Sequence, residues 1–213
     1  MHSPALAKRT AGTHLVSSQK ASFMAKSYLI QAPWPDFILD GTLHSLEHLC
    51  EYHLSAEDSS GNTREILVTF SDHCFTSKDP IDSLHPEASL YRESARRPGY
   101  FCPRRYEQSL NLVQRIEATK TGSVWNASGQ NFAAIPTVTA NGTPALYAIL
   151  FGVRRLKGAP PYHLHLDVVS AYICDDIAAF ATFGSVGFKR LVTLTMEGKH
   201  PPKNHSKHRR RPK

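Results

Sequence analysis

No stretch of this 213-residue chain supplies the roughly 18 consecutive apolar residues that a membrane-spanning helix needs. The longest unbroken apolar run is Ala145 to Val153, so no membrane anchor is expected. Cysteine is scarce too. Cys50, Cys74, Cys102 and Cys174 stand far apart without a CxxC pair, which excludes the usual zinc and dithiol motifs. An uninterrupted apolar signal core is also missing, so a reducing, cytoplasmic setting is expected. The glycosylation-type triplets at Asn126, Asn141 and Asn204 then carry no meaning.

Acidic residues are absent from both ends. Residues 1–28 hold Lys8, Arg9, Lys20 and Lys26 with no acid, and Lys199 to Lys213 hold four Lys and three Arg with no acid. The net charge of +7 therefore belongs to the termini, while residues 29–198, with 14 basic and 18 acidic side chains, are mildly acidic. Aperiodic, acid-free composition predicts a disordered leader over 1–28 and a disordered tail over 199–213. Met24 offers a second start, and the leader's composition also fits a transit peptide. With 41% hydrophobic residues overall, residues 29–198 are long enough for a single domain with its own core.

Within that body, Leu46 to Leu54 alternates in polarity and Ile66 to Phe70 is apolar and β-branched, with Asp58-Ser-Ser-Gly-Asn62 between them. This predicts a β-hairpin, whose first arm can begin as a helix through Leu39, Leu43, Leu46 and Cys50. Residues 77–102, with Pro80, Pro86, Pro98 and Gly99, predict a long loop. One helix is predicted from Pro103, with Tyr106, Leu110, Val113 and Ile116 as its stripe and Gly122 beyond its end. Strands are predicted over Phe132–Thr139, Ala145–Leu156, Tyr162–Ile173 and Phe188–Met196. The expected fold is α+β, a mostly antiparallel sheet with one main helix packed on one face.

Chemistry concentrates in a few places. The segment Tyr91 to Tyr106 carries Arg92, Arg96, Arg97, Arg104 and Arg105 among four aromatic residues. Guanidinium groups hold phosphates bidentately and aromatic faces stack on unpaired bases, a combination that suits single-stranded RNA. Arg209, Arg210 and Arg211 in the tail suit a nonspecific polyanion hook. His73, beside Asp72 at the end of a strand, is a candidate acid or base that Asp72 would orient. A period of two puts His163, His165 and Asp167 on one strand face, where they form a candidate metal set. The same period puts Ser170 and Tyr172 on the face of Leu164, Leu166 and Val168, two hydroxyls ending an apolar face.

The strand Tyr162-x-Leu164-x-Leu166-x-Val168-x-Ser170-Ala-Tyr172, followed by a last C-terminal strand, resembles the end of the barnase, EndoU, colicin and RelE group of metal-independent ribonucleases. Over about 60 residues the resemblance implies a helical part followed by an antiparallel sheet, with Ser170 and Tyr172 in the site. Phe70 to Phe75 together with Ser170-Ala-Tyr172 also resembles bacterial proteins of unsettled activity.

These readings lead to an RNA-binding protein whose enzymatic form is a toxin-like, metal-independent endoribonuclease. The ribose 2′-OH would be the nucleophile and His73 or His163 the acid or base. Arg104 or Arg105 with Lys157 would neutralise the phosphorane, and Ser170 and Tyr172 would hold the phosphate or orient a base. No cofactor or metal is expected, and the partner is RNA or another polyanion. The alternative is a non-enzymatic module that binds nucleic acid or an acidic protein through its tail. A metal-dependent hydrolase built on His163, His165 and Asp167 ranks third.

Overall fold

The computed structural model describes residues 33–93, 97–127, 130–138, 144–174 and 184–201. Its core begins with the predicted hairpin. Strands β3 (Tyr52–Glu57) and β4 (Thr63–Phe70) pair antiparallel around a turn in which Asp58 accepts the Ser60 and Asn62 amides at 2.8 and 3.0 Å. Burial alone would raise the Asp58 carboxyl, but the Arg64 guanidinium at 2.7 Å and the turn donors outweigh it and hold it at about 2. Ahead of the hairpin, β1 (Phe37–Leu39) and β2 (Thr42–His44) form a separate two-stranded ribbon. The stretch expected to begin the first arm is a 3₁₀ turn at Glu47–Leu49 that buries Leu49.

The seven-stranded sheet has the order β12 (Ser185–Gly187), β8 (Ser123–Ala127), β9 (Gln130–Val138), β10 (Pro144–Arg155), β11 (Leu164–Cys174), β4, β3. Strands β8, β9, β10 and β11 form an antiparallel meander, in which β9, β10 and β11 fall on three of the four predicted strands and β8 is not among them. β11 then joins β4 in parallel, Leu164 opposite Ile66 and Val168 opposite Phe70. Ile66, Val68, Phe70, Leu164, Leu166 and Val168 all belong to the main hydrophobic cluster, which marks the core face of the sheet. The fold is α+β and mostly antiparallel.

Two predicted elements differ. The single helix is two, α1 (Pro103–Ser109) and α2 (Leu112–Thr119), parted at Leu110 and Asn111. The break leaves Leu110 exposed while Leu112 and Ile116 enter the core, so the predicted stripe does not continue through one straight axis. The predicted last strand is a helix, α3 (Phe188–Met196), entered from the short strand β12 (Ser185–Gly187). A strand would have placed Arg190 on the same face as Phe188 and Val192. Helical spacing instead buries Phe188, Leu191 and Val192 together and leaves Lys189 and Arg190 exposed. α2 and α3 both feed the cluster on the core face, and α3 is tied to the hairpin by Lys189–Glu57 at 2.6 Å and by the Ser59 amide donating to Thr193 Oγ1 at 2.8 Å.

The predicted long loop is largely folded. Strands β5 (Thr76–Ser77), β6 (Leu90–Arg92) and β7 (Gly99–Phe101) form a small sheet of order β5-β7-β6, with a 3₁₀ turn at Pro86–Ser89. Two of its three aromatic residues turn inward: Phe101 is fully buried and stacks on Phe37 at 4.9 Å, while Tyr91 packs edge-on to Phe75 at 4.8 Å. Tyr91, Phe101 and Tyr106 are therefore hydrophobic packing rather than an exposed stacking platform.

Candidate functional site

The parallel pair sets the site. Where β4 and β11 end, the chain passes from Phe70 through Ser71 into a 3₁₀ turn at Asp72–Cys74, which lifts His73 into solvent. Ser71 caps the turn by accepting the His73 amide at 3.3 Å. Alongside, β11 carries a bulge. Leu150 faces Ser170 and Phe151 faces Val168, leaving Val169 as the extra residue. An extra residue shifts the alternation by one, so Ser170 and Tyr172 leave the face of Leu164, Leu166 and Val168. Ala171 takes the core position opposite Ile149 in their stead. The expectation that the two hydroxyls end the apolar face is thus corrected, and the bulge is the cause.

A cleft of about 500 Å³ lies at this end, lined by His73, Thr76, Ser77, Lys78, Arg97, Pro98, Arg105 and Ser170. Among the described residues, its lining holds three cations and no carboxylate. Arg105 divides it from a smaller pocket of about 220 Å³ that contains Arg104, Gln108 and Tyr172. The Arg105 Nη1 donates to the His73 carbonyl at 2.8 Å, and its guanidinium sits over the Tyr172 ring at 5.6 Å. Among the residues proposed from the sequence, His73, Arg97, Arg105 and Ser170 share one cleft, and Arg104 and Tyr172 border it.

Asp72 does not serve His73 as expected. It is only 3% exposed, and its Oδ2 meets the Arg92 guanidinium at 2.9 Å, an ion pair inside the small-sheet junction. Arg92 is thereby committed to Asp72. A Cβ on Gly99 would stand 3.3 Å from that same oxygen, which explains a glycine at this point of close approach. Burial pushes the Cys74 thiol well up despite the nearby Arg105 cation, so it is an inert core residue.

His163 and Lys157 belong to the opposite end of the sheet. Seven residues at about 3.3 Å each separate His163 from Ser170, roughly 23 Å along the strand. His163 Nδ1 accepts the Glu65 amide at 3.0 Å, which fixes it against β4. Neither residue can act on a ligand held beside His73, because both precede β11 while the cleft follows β4. The candidate metal set is likewise occupied. Arg154 Nε donates to His165 Nδ1 at 2.9 Å, His165 Nε2 meets Thr69 Oγ1 at 2.8 Å, and Thr69 donates to Asp167 Oδ1 at 3.0 Å. Both ring nitrogens of His165 are thus engaged in protein hydrogen bonds, and burial with the Arg154 cation lowers its pKa. Among the described residues, no three His, Cys, Asp or Glu side chains are placed to hold a metal ion.

Arg96, Arg209, Arg210 and Arg211 lie outside the described residues. Sequence reasoning missed Lys78, Thr76 and Gln108. Lys78 had the strand-end position that marked His73, but no neighbouring cation to draw attention to it. Among the described residues, no helix is long and apolar enough to cross a membrane.

The model of the YjaZ family matches residues 36–196, about three quarters of the chain and nearly the whole described fold. The chain belongs to the YjaZ family. No curated protein and no solved structure matches it. In this YjaZ-family chain the match runs through both ends of the cleft, from the turn of His73 to the strand of Ser170 and Tyr172.

Proposed function

We propose that this YjaZ-family protein binds RNA in the cleft at the ends of β4 and β11. The observation that carries the reading is the lining itself: among the described residues, Lys78, Arg97 and Arg105 line the cleft beside a hydroxyl and an exposed imidazole, and Asp79, paired with Lys78 at 3.9 Å, is exposed and outside the lining. Arginine and lysine side chains gathered on a concave surface neutralise phosphates and release counterions, the main source of affinity for a nucleic-acid strand.

In the enzymatic form of this reading the ribose 2′-OH attacks the adjacent phosphorus. The O–P bond forms as the bond to the 5′-oxygen breaks, giving a cyclic phosphate and a free 5′-hydroxyl. His73 takes the proton of the 2′-OH, and solvent supplies the proton of the leaving oxygen. Arg105 and Lys78 offset the charge that builds on the phosphorane. With His163 at the far end of the sheet, His73 is the single imidazole lining the cleft among the described residues.

A panel of single-stranded RNAs tests both levels. Lys78→Ala with Arg97→Ala is expected to weaken binding at least tenfold, and His73→Ala to slow any cleavage about a hundredfold without loss of fold. Equal binding by parent and double variant overturns the cleft as the RNA site. Binding without cleavage by the parent leaves an RNA-binding module and removes the enzymatic role of His73.

A further inference from the structure

Arg105 is shared by two pockets, and the second one has a chemistry of its own. Ser170 lines the larger cleft and Tyr172 the smaller. They stand two residues apart on the same face of β11, about 6.6 Å along the strand. A ligand with a phosphate against Arg105 and Ser170 therefore has its next group within reach of the Tyr172 ring. We infer that the smaller pocket, walled by Arg105, Gln108 and Tyr172, seats one unpaired nucleobase, so that the strand bound is single-stranded. The inference rests on the RNA reading of the larger cleft and specifies the form of its ligand.

Three features select a base. The space, about 220 Å³, falls below the 300–1,000 Å³ typical of sites for drug-sized ligands and suits a single planar ring system. Tyr172 is half-buried with the Arg105 guanidinium over its ring, so an aromatic face and a flat cation are already arranged in one stack. A base joining that stack meets a π-face and a cation that tolerate any sequence. Gln108, projecting from α1 into the same pocket, offers a donor pair and an acceptor to the edge of a base. In a duplex that edge is paired and both faces are stacked, so a helix presents nothing that fits.

The test compares two probes on the full-length chain: a short single-stranded RNA bearing 2-aminopurine, and an abasic oligomer of the same length. Stacking on Tyr172 is expected to quench the 2-aminopurine fluorescence. Tyr172→Leu should abolish the quenching and lower affinity for the RNA about tenfold more than for the abasic oligomer. Tyr172→Phe, which keeps the ring, should keep the quenching. Gln108→Met, on the surface of α1 and close in volume, should reduce affinity for the RNA selectively and guards against a folding defect in the Tyr172 variant. If Tyr172→Leu lowers both affinities equally, or the parent binds both probes equally well, the base subsite is wrong while the phosphate cleft stands. If the parent binds neither probe, the RNA reading fails and the subsite with it.

Discussion

The Ser71 hydroxyl donates to the Val169 carbonyl at 2.5 Å, tying the turn after β4 to the bulge in β11. Its amide also donates to the Val168 carbonyl at 2.9 Å, which extends the parallel ladder by one step past Phe70. Because the same Ser71 oxygen accepts the His73 amide, one side chain fixes both the bulge that turns Ser170 and Tyr172 toward the cleft and the turn that presents His73. Ser71→Ala removes both bonds. The loss should be about 1–2 kcal/mol of stability, read as a lower urea midpoint with unchanged slope. RNA affinity should fall along with it, since the two halves of the lining are no longer registered. An unchanged midpoint would mean that the bulge is held by the ladder alone.

The parts legible in the sequence were those fixed by local pattern. The hairpin, the three strands β9 to β11 and the helix start at Pro103 follow from alternation, turn residues and an N-terminal proline, which depend on near neighbours. His73, Arg105 and Ser170 were each visible as chemical types, but their meeting depends on the parallel pairing of β4 with β11 across roughly a hundred residues. No periodicity encodes that pairing. The bulge at Val169 was invisible for a related reason: a two-residue period reads straight through it and assigns Ser170 and Tyr172 to the wrong face. The same period made a strand of α3, where Val192, Leu194 and Met196 alternate with Thr193 and Thr195 but Arg190 fits only the helix. His163 and His165 looked like ligands by spacing. Their hydrogen bonds to Glu65, Thr69 and Arg154 come from neighbouring strands that spacing does not show.

The chain from Arg154 through His165 and Thr69 to Asp167 makes stability depend on pH in a defined direction. Since Nδ1 accepts from Arg154, the ring is neutral with its proton on Nε2, donated to Thr69. Burial and the Arg154 cation lower the folded-state pKa below the unfolded value near 6.5. Between those two values the unfolded chain binds more protons, so stability rises with pH there and is lost as pH falls from about 6.5 through the folded pKa. His48 is lowered by its own burial and adds in the same direction. His165→Gln, able to accept from Arg154 and donate to Thr69, should retain most stability at pH 7 and flatten the decline below about pH 6.5. Denaturant midpoints at several pH values check it, and an equally steep decline in the variant would assign the effect elsewhere.

Phe188 opens α3 on the core face, almost fully buried beside Leu191 and Val192. Phe188→Ala should cost about 3–5 kcal/mol, the range for an aromatic truncated in a packed core. Lys189→Ala, one residue on and half-exposed in its pair with Glu57, should cost less than about 1 kcal/mol. Similar losses at both positions would contradict the helical phase of this segment.

If the cleft binds RNA as proposed, the cleft and the basic tail should make separable contributions to affinity, and salt dependence tells them apart. For a single strand, the logarithm of the binding constant falls with the logarithm of salt concentration at about −0.7 per phosphate neutralised. Lys78→Ala with Arg97→Ala removes two cations from the cleft lining and should make the slope shallower by about 1.4, with a loss of affinity at every salt concentration. Deleting Lys199 to Lys213 removes seven Lys and Arg side chains. That deletion should flatten the slope as well, and its effect should be greatest at low salt and fade as counterions compete. The cleft should differ because its cations line a concave site with a hydroxyl and an imidazole, so part of the proposed affinity would be hydrogen bonding that salt does not screen. Binding isotherms of parent, double variant and truncated chain from low to high salt measure both slopes. If truncation alone removes the whole salt dependence and the double variant matches the parent throughout, the tail is the sole RNA contact and the cleft serves another anion.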